Sequence, residues 1–247
     1  MAKNPMRLVT NEPLIKRNAA IGKYAAIGGL VVLVAGLLVS FRPEPELRLV
    51  PFVTLALGFI LSNIGIYFSN RYLKYRGDQA LESNLKGFDD KYHLYNYRLP
   101  TPHFLIAPTG IFALVPKFQR GVVTWNGKRW IHKGSNFFLN LFGQEGLGNP
   151  TSEAAAEAEA AARFLIKKLG DNIPPVQAIV VFCNPEVTVE AKDTPIPAVH
   201  IKQLKDYLRK LTKSSTPVTA GAGGGGRKSG LTLTPDQIAK LDEALGL

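Results

Sequence analysis

TPHFLIAPTGIFALVPKFQRG, residues 101–121, is the stretch on which the fold turns. Its two short runs, HFLIA and IFALV, are rich in β-branched and aromatic residues and are broken by Pro-Thr-Gly, so they predict two strands joined by a tight turn. The second run ends near a lone lysine, Lys117. Upstream, HLYNYRL (93–99) predicts another strand, and GDQALESNLKGF (77–88) sets Ala80, Leu81 and Leu85 near one helical face with Gly87 as a stop. Downstream, GVVTWNGKRWIH (121–132) holds Asn126-Gly127 between two strand-like runs. That dipeptide predicts a hairpin in which both turn positions have positive φ. Trp125 and Trp130 flank the turn and are expected to pair across the strands rather than to stack on bases.

Further along, GSNFFLNLFGQEGLG (134–148) reads as an irregular loop expected to cover the end of the sheet. Asn149 and Pro150 suit the cap and first turn of a helix that runs to Leu169, with acids early, Lys167 and Lys168 late, and Gly170 as its stop. Thr151 and Ser152 have no nucleophile context and belong to that helix start. VQAIVVFC predicts a buried central strand, VTVE and PAVHI two shorter ones, and Leu204, Leu208 and Leu211 one face of a following helix. Helix, strands, helix, strand, helix is an α/β or α+β sandwich over residues 70–213. Residues 214–230 change to STPVTAGAGGGGRKSG and read as a tether. Thr234, Pro235 and Gln237 then form a capping box for a short helix in 231–247, which must dock somewhere to persist and is a candidate contact for an unknown protein partner.

Before the domain, residues 24–41 and 49–69 are uncharged and long enough to cross about 30 Å of hydrocarbon as helices. Only RPEPELR (42–48) joins them, so they predict a transmembrane hairpin, an N-terminal anchor in the lipid bilayer of the cell membrane. A cleaved signal peptide fits less well, because no small-residue cleavage site follows Phe41 and a second span comes at once. Lys3, Arg7, Lys16, Arg17 and Lys23 precede the first span, and Arg71, Lys74 and Arg76 follow the second, which predicts cytoplasmic N- and C-termini and makes 1–23 a basic cytoplasmic segment. Ala25 and Gly29 on the first span, with Gly58 and Ser62 on the second, are expected to allow close approach of the helices. Asn63 is expected to hydrogen-bond across the hairpin. With no acid or base inside either span, there is no ion or proton relay and a transporter is excluded.

The formal net charge of +11 points to an anionic neighbour. Anionic headgroups beside the spans account for much of it. A single cysteine, Cys183, excludes an internal disulfide, and its apolar run makes it a buried thiol. His93, His103, His132 and His200 lack the spacing of a zinc site, and the glycine run 223–226 does not lie between a strand and a helix as a phosphate loop would.

Residues 77 to about 211 resemble the NERD, or nuclease-related, domain, which is itself similar to the PD-(D/E)xK nuclease superfamily. Gly77-Asp78 resembles the family's Gly-Glu at the first helix, His103-Phe104-Leu105-Ile106 its strand after an acid, and Pro108-Thr109-Gly110-Ile111-Phe112 its turn. Lys117 and Gly121 match the end of the next strand, and Asn149-Pro150 a later element in which Glu153 stands where the family has glutamine. The resemblance implies a restriction-endonuclease-like mixed sheet flanked by helices. It also implies loss of the metal site, since Pro102 stands for the metal-binding aspartate and Val115 for the glutamate of Glu-x-Lys. Neither offers an oxygen ligand to Mg²⁺. Lys117, Asp78 and Glu153 are then vestigial, no cofactor or metal is expected, and the chain is expected to bind or scaffold rather than cleave. Two alternatives remain: nucleic-acid or phosphate contact through Lys117, Lys128, Arg129 and Lys133, and a Mg²⁺-dependent nuclease with a shifted ligand set.

Overall fold

The computed structural model describes residues 4–42, 44–134, 146–214 and 232–247. The chain divides into a helical hairpin, residues 12–76, and a sheet domain that takes in residues 4–11 together with those from 77 onward.

The hairpin consists of α1 (Glu12–Ser40) and α2 (Val50–Ser69), followed by a π-helical turn over Asn70–Lys74. Helix α1 begins well before the apolar run at Tyr24, so residues 12–23 continue the first helix rather than forming part of a separate basic segment. Gly22, Gly29 and Gly36 on α1 and Gly58 and Gly65 on α2 are buried in the seam. A Cβ added at Gly29 would lie 2.9 Å from the Ser62 amide nitrogen, and one at Gly65 would lie 2.6 Å from that of Ala26. The seam therefore repeats every seven residues, as a supercoiled pair requires. Gly29, Gly58 and Ser62 meet in it as expected from their size, whereas Ala25 is half-buried. Away from the seam, Leu30 (62% exposed), Leu38 (64%), Phe52 (71%) and Phe59 (67%) turn outward. A core helix of a globular protein would bury such side chains; both helices are long and apolar enough to cross a bilayer.

The sheet domain is a mixed α/β structure. Its elements, in chain order, are β1 (Arg7–Thr10), α3 (Gly77–Leu85), β2 (His93–Asn96), β3 (His103–Ala107), β4 (Gly110–Lys117), β5 (Gly121–Trp125), β6 (Trp130–Lys133), α4 (Pro150–Leu169), β7 (Val176–Phe182), β8 (Val187–Glu190), β9 (Ala198–His200), α5 (Ile201–Ser214) and α6 (Pro235–Leu245). Six strands form one sheet in the order β1-β2-β3-β4-β7-β9, and β6-β5-β8 form a second. The central β2-β3-β4 meander is antiparallel, while β1 on β2, β7 on β4 and β9 on β7 are parallel.

Period-2 alternation sends the two faces of the large sheet into different cores. Leu105, Phe112, Leu114, Ile179 and Val181 meet Leu81 and Leu85 of α3 and Leu204 and Leu208 of α5. Phe104, Ile106 and Ile111 meet Ala161 and Leu165 of α4 and Leu241 of α6. Further along that second face, Val115, Val180 and Phe182 meet Ala154 of α4 and Val123, Trp130 and Val187 of the small sheet. Each fully buried leucine contributes about 2 kcal/mol of transfer free energy, so both faces are needed.

Several sequence expectations are modified. Residues 7–10, within the stretch assigned to a basic N-terminal segment, form edge strand β1. The β5–β6 hairpin closes through four residues rather than two. Trp125 opposes Trp130, the Asn126 side chain accepts from the amides of Lys128 and Arg129 at 3.0 and 2.8 Å, and only Gly127 of the Asn-Gly pair has positive φ (88°). The side-chain bonds of Asn126 do locally what a two-residue turn would have asked of its backbone. Trp125 and Trp130 pair as expected, 5.4 Å between ring centroids. Asn63 does not bond across the hairpin: its Nδ2 donates to the Phe59 carbonyl of its own helix at 2.8 Å. Most of the 134–148 loop and of the 214–230 tether lies outside the described residues.

Candidate functional site

The turn between β2 and β3 and the end of β4 bring the residues singled out in the sequence to one end of the sheet. The β3–β4 ladder ends at the pair Phe104 and Ala113; Pro102 lies two residues before Phe104 and Val115 two residues after Ala113. The two positions at which the resemblance calls for carboxylates thus lie just beyond the same end of that ladder. Tyr97 holds the turn in place. It has φ of 55°, rare for a bulky side chain, and its N–H donates to the Pro102 carbonyl at 2.6 Å. The Asn11 side chain donates to the Tyr97 carbonyl at 3.1 Å.

Lys117 lies two residues beyond Val115 and so faces α4, where its Nζ donates to Glu153 Oε2 at 2.5 Å. Its side chain is 7% exposed against 47% for Glu153, so the lysine is a buried cation, not a surface one. The helix start that delivers Glu153 is built as its sequence dictates: the Asn149 side chain accepts from the Ser152 amide, Pro150 fills the first turn, and Thr151 accepts the Trp130 indole N–H at 2.8 Å. Burial also governs Cys183, whose amide donates to the Lys117 carbonyl at 2.7 Å; desolvation pushes its thiol up to about 12, leaving an inert core residue.

Asp78 opens α3, buried, on the other face of the sheet. Its neighbour Gly77 is pressed against that face: a Cβ there would lie 2.6 Å from Pro116 Cγ and 2.7 Å from His103 Nε2. The structure therefore unites Lys117 with Glu153 and sets Asp78 across the sheet from them. A buried polar chain that sequence reasoning missed runs beside Asp78. Asn96 Nδ2 donates to Thr10 Oγ1 at 3.2 Å, which turns its Oδ1 toward His103 Nδ1 at 2.8 Å. With Asn96 Oδ1 as the acceptor, His103 Nδ1 is the donor, and Nε2 lies beside the start of α3. An asparagine in a strand otherwise rich in aromatic residues was the only available signal.

The other basic candidates do not assemble around Lys117. Lys128 and Arg129 are exposed in the hairpin turn, and Lys133 is exposed at the opposite end of β6, about 13 Å away at strand rise. Nor do the residues fit a divalent ion, which requires several carboxylate oxygens on one centre. Pro102 and Val115 offer none, and Glu153 is engaged by Lys117. Among the described residues, no group of three or more His, Cys, Asp or Glu side chains converges.

Comparison with protein-family models, curated proteins and solved structures returns no match.

The buried ion pair yields an asymmetric prediction. Lys117→Met exchanges a buried cation for an apolar chain of similar length and is expected to change stability by less than about 1 kcal/mol. Glu153→Ala strands the cation and is expected to cost about 2 kcal/mol, below the cost at a fully buried pair because Glu153 is half exposed. Urea unfolding of the two variants measures both, and the reverse ranking would mean that the charge of Lys117 is itself required.

Proposed function

We propose that this chain is a membrane-anchored nuclease-related domain that has lost catalysis and acts as a binding or scaffolding module at the cytoplasmic face of the cell membrane. On this reading the mixed sheet is a restriction-endonuclease-like core, and its former metal end is a structural remnant. The observation that carries the reading is that Pro102 and Val115, oxygen-free side chains at the two ligand positions, lie just beyond one end of the β3–β4 ladder, near a lysine already neutralised by Glu153. A buried, paired lysine can neither generate a nucleophilic water nor offer itself to a phosphate without first releasing its partner.

Topology supports the anchoring. Strand β1 precedes the first apolar helix, yet it pairs with β2, which follows the second. One folded domain cannot lie on two sides of a bilayer, which supports an even number of crossings with both ends in one compartment. The lysines and arginines flanking the spans assign that compartment to the cytoplasm. Removal of the first helix as a signal peptide would also take away a strand of the sheet.

Two measurements test this. In sealed vesicles with the cytoplasmic face inside, tags at both termini are expected to resist added protease, and the thiol of Glu44→Cys is expected to react with an impermeant reagent. Protease access to one terminus alone would sink the hairpin. Mg²⁺- or Mn²⁺-dependent cleavage of DNA or RNA is expected to be absent; cleavage abolished by Lys117→Ala would restore the nuclease reading.

A further inference from the structure

Among the described residues, the outward surface of α2 carries a carboxamide within an apolar stretch. Asn63 is exposed on α2, away from the Gly58–Gly65 seam, among Phe52, Phe59, Ile60 and Ile66. It lies six residues before Ser69 and thirteen after Val50, about 9 Å and 20 Å from the two ends of the helix at 1.5 Å per residue. One of its two N–H groups donates to the Phe59 carbonyl. The second N–H and the Oδ1 acceptor remain, in a setting where neither lipid chains nor water can answer them. Other polar side chains of the spans are differently placed: Thr54 donates to Val50 and Pro51 carbonyls at 3.0 Å, Ser40 to the Leu37 carbonyl at 2.6 Å, and Ser62 lines the seam.

We propose that the Asn63 face of α2 is a docking surface for a second copy of this chain within the bilayer. A primary amide is complementary to itself. Two copies related by a two-fold axis along the membrane normal bring Asn63 to Asn63, and each free N–H donates to the other's Oδ1. Such a contact is isologous and closes at the dimer. Lipid chains cannot satisfy either group, and the ester carbonyls of lipid lie outside the hydrocarbon that surrounds this position. The apolar neighbours on the same face, Phe59 and Ile66 above all, pack around the paired amides and exclude competing donors.

The proposal rests on the bilayer-spanning reading of the hairpin, and the experiment separates the two. Full-length chains carrying donor or acceptor fluorophores on a C-terminal tag are reconstituted in phosphatidylcholine and phosphatidylglycerol vesicles. Energy transfer is followed as lipid dilutes the protein. The parent chain is expected to show transfer that falls on dilution, and Asn63→Leu to raise the dimer dissociation constant about tenfold, the scale of one or two interhelical hydrogen bonds. Asn63→Gln, which keeps the amide, is expected to retain most of the transfer. Absence of transfer at every dilution, or transfer unchanged in Asn63→Leu while that variant resists alkaline carbonate extraction, overturns the docking surface alone. Extraction of the parent chain by carbonate overturns the spanning reading and this proposal together.

Discussion

Leu241→Asp is expected to destabilise the sheet domain by about 4 kcal/mol or more, and Leu241→Ala by about 3 kcal/mol. The residue lies on α6, fully buried against Tyr95, Phe104, Ile106 and Ile111 of the large sheet and Leu165 of α4. Two polar ties surround it. Tyr95, wholly buried, donates its hydroxyl to Asp242 at 2.9 Å, and Arg7 of the edge strand reaches the other oxygen of Asp242 at 2.5 Å. Burial, then the bond to Asp242, raises the Tyr95 phenol, which stays a neutral donor throughout the physiological range. The Gln237 side chain adds a bond to the Asn172 carbonyl at 2.7 Å. A carboxylate at 241 would thus enter an apolar core beside an existing acid. Urea midpoints of the full chain measure the loss, with the exposed Lys240→Ala as a control expected within about 0.5 kcal/mol of the parent. Amides of α6 are expected to share the protection of the sheet against hydrogen exchange; rapid exchange in α6 with an unchanged Leu241→Asp midpoint would show that the helix does not hold this seat.

What was legible in the sequence follows the range of the interaction that builds each element. The capping box of α6 is local: Thr234 and Gln237 exchange side-chain bonds with each other's backbone and were read correctly from four residues. Its seat is not local. Leu241 needs a surface composed of strands about 140 residues earlier, so the spacing of Leu233, Ile238, Leu241 and Leu245 reveals a face but not the object it meets. Strand β1 is the harder case. RLVT is too short to show a period, and it becomes a strand only because β2 offers it a parallel edge. The site divides the same way. The β3–β4 turn and the cap of α4 were visible as Pro-Thr-Gly and Asn-Pro, whereas the Lys117–Glu153 pair joins a strand end to a helix start 36 residues on. The chain Thr10–Asn96–His103 stayed out of view because its three members come from three strands, with Thr10 86 residues before Asn96.

Restoring two acids tests whether that end of the sheet descends from a metal site. Pro102→Asp with Val115→Glu is expected to give divalent-ion affinity that the parent chain is expected not to show. The new carboxylates would lie two residues beyond the last β3–β4 pair on each side, and residue 115 shares the face of Lys117. Without metal the double variant should be less stable. Val115 is 3% exposed among Ala154, Val180 and Phe182, and a glutamate there costs about 3 kcal/mol, relieved in part by Lys117. Replacing Pro102 also frees a backbone N–H in a turn already held by Tyr97, so the aspartate alone should do less harm. An ion bound with a dissociation constant of ~10⁻³ M would return about 1.4 kcal/mol at 10 mM Mn²⁺ through mass action on the folded state. The expected signature is therefore a melting temperature that rises with Mn²⁺ in the double variant and stays flat in the parent and in either single variant. If the double variant folds and its melting temperature ignores Mn²⁺, the carboxylates do not converge. The strand matching behind the nuclease-related reading would then be wrong, while the anchor and the docked terminal helix would stand on their own evidence.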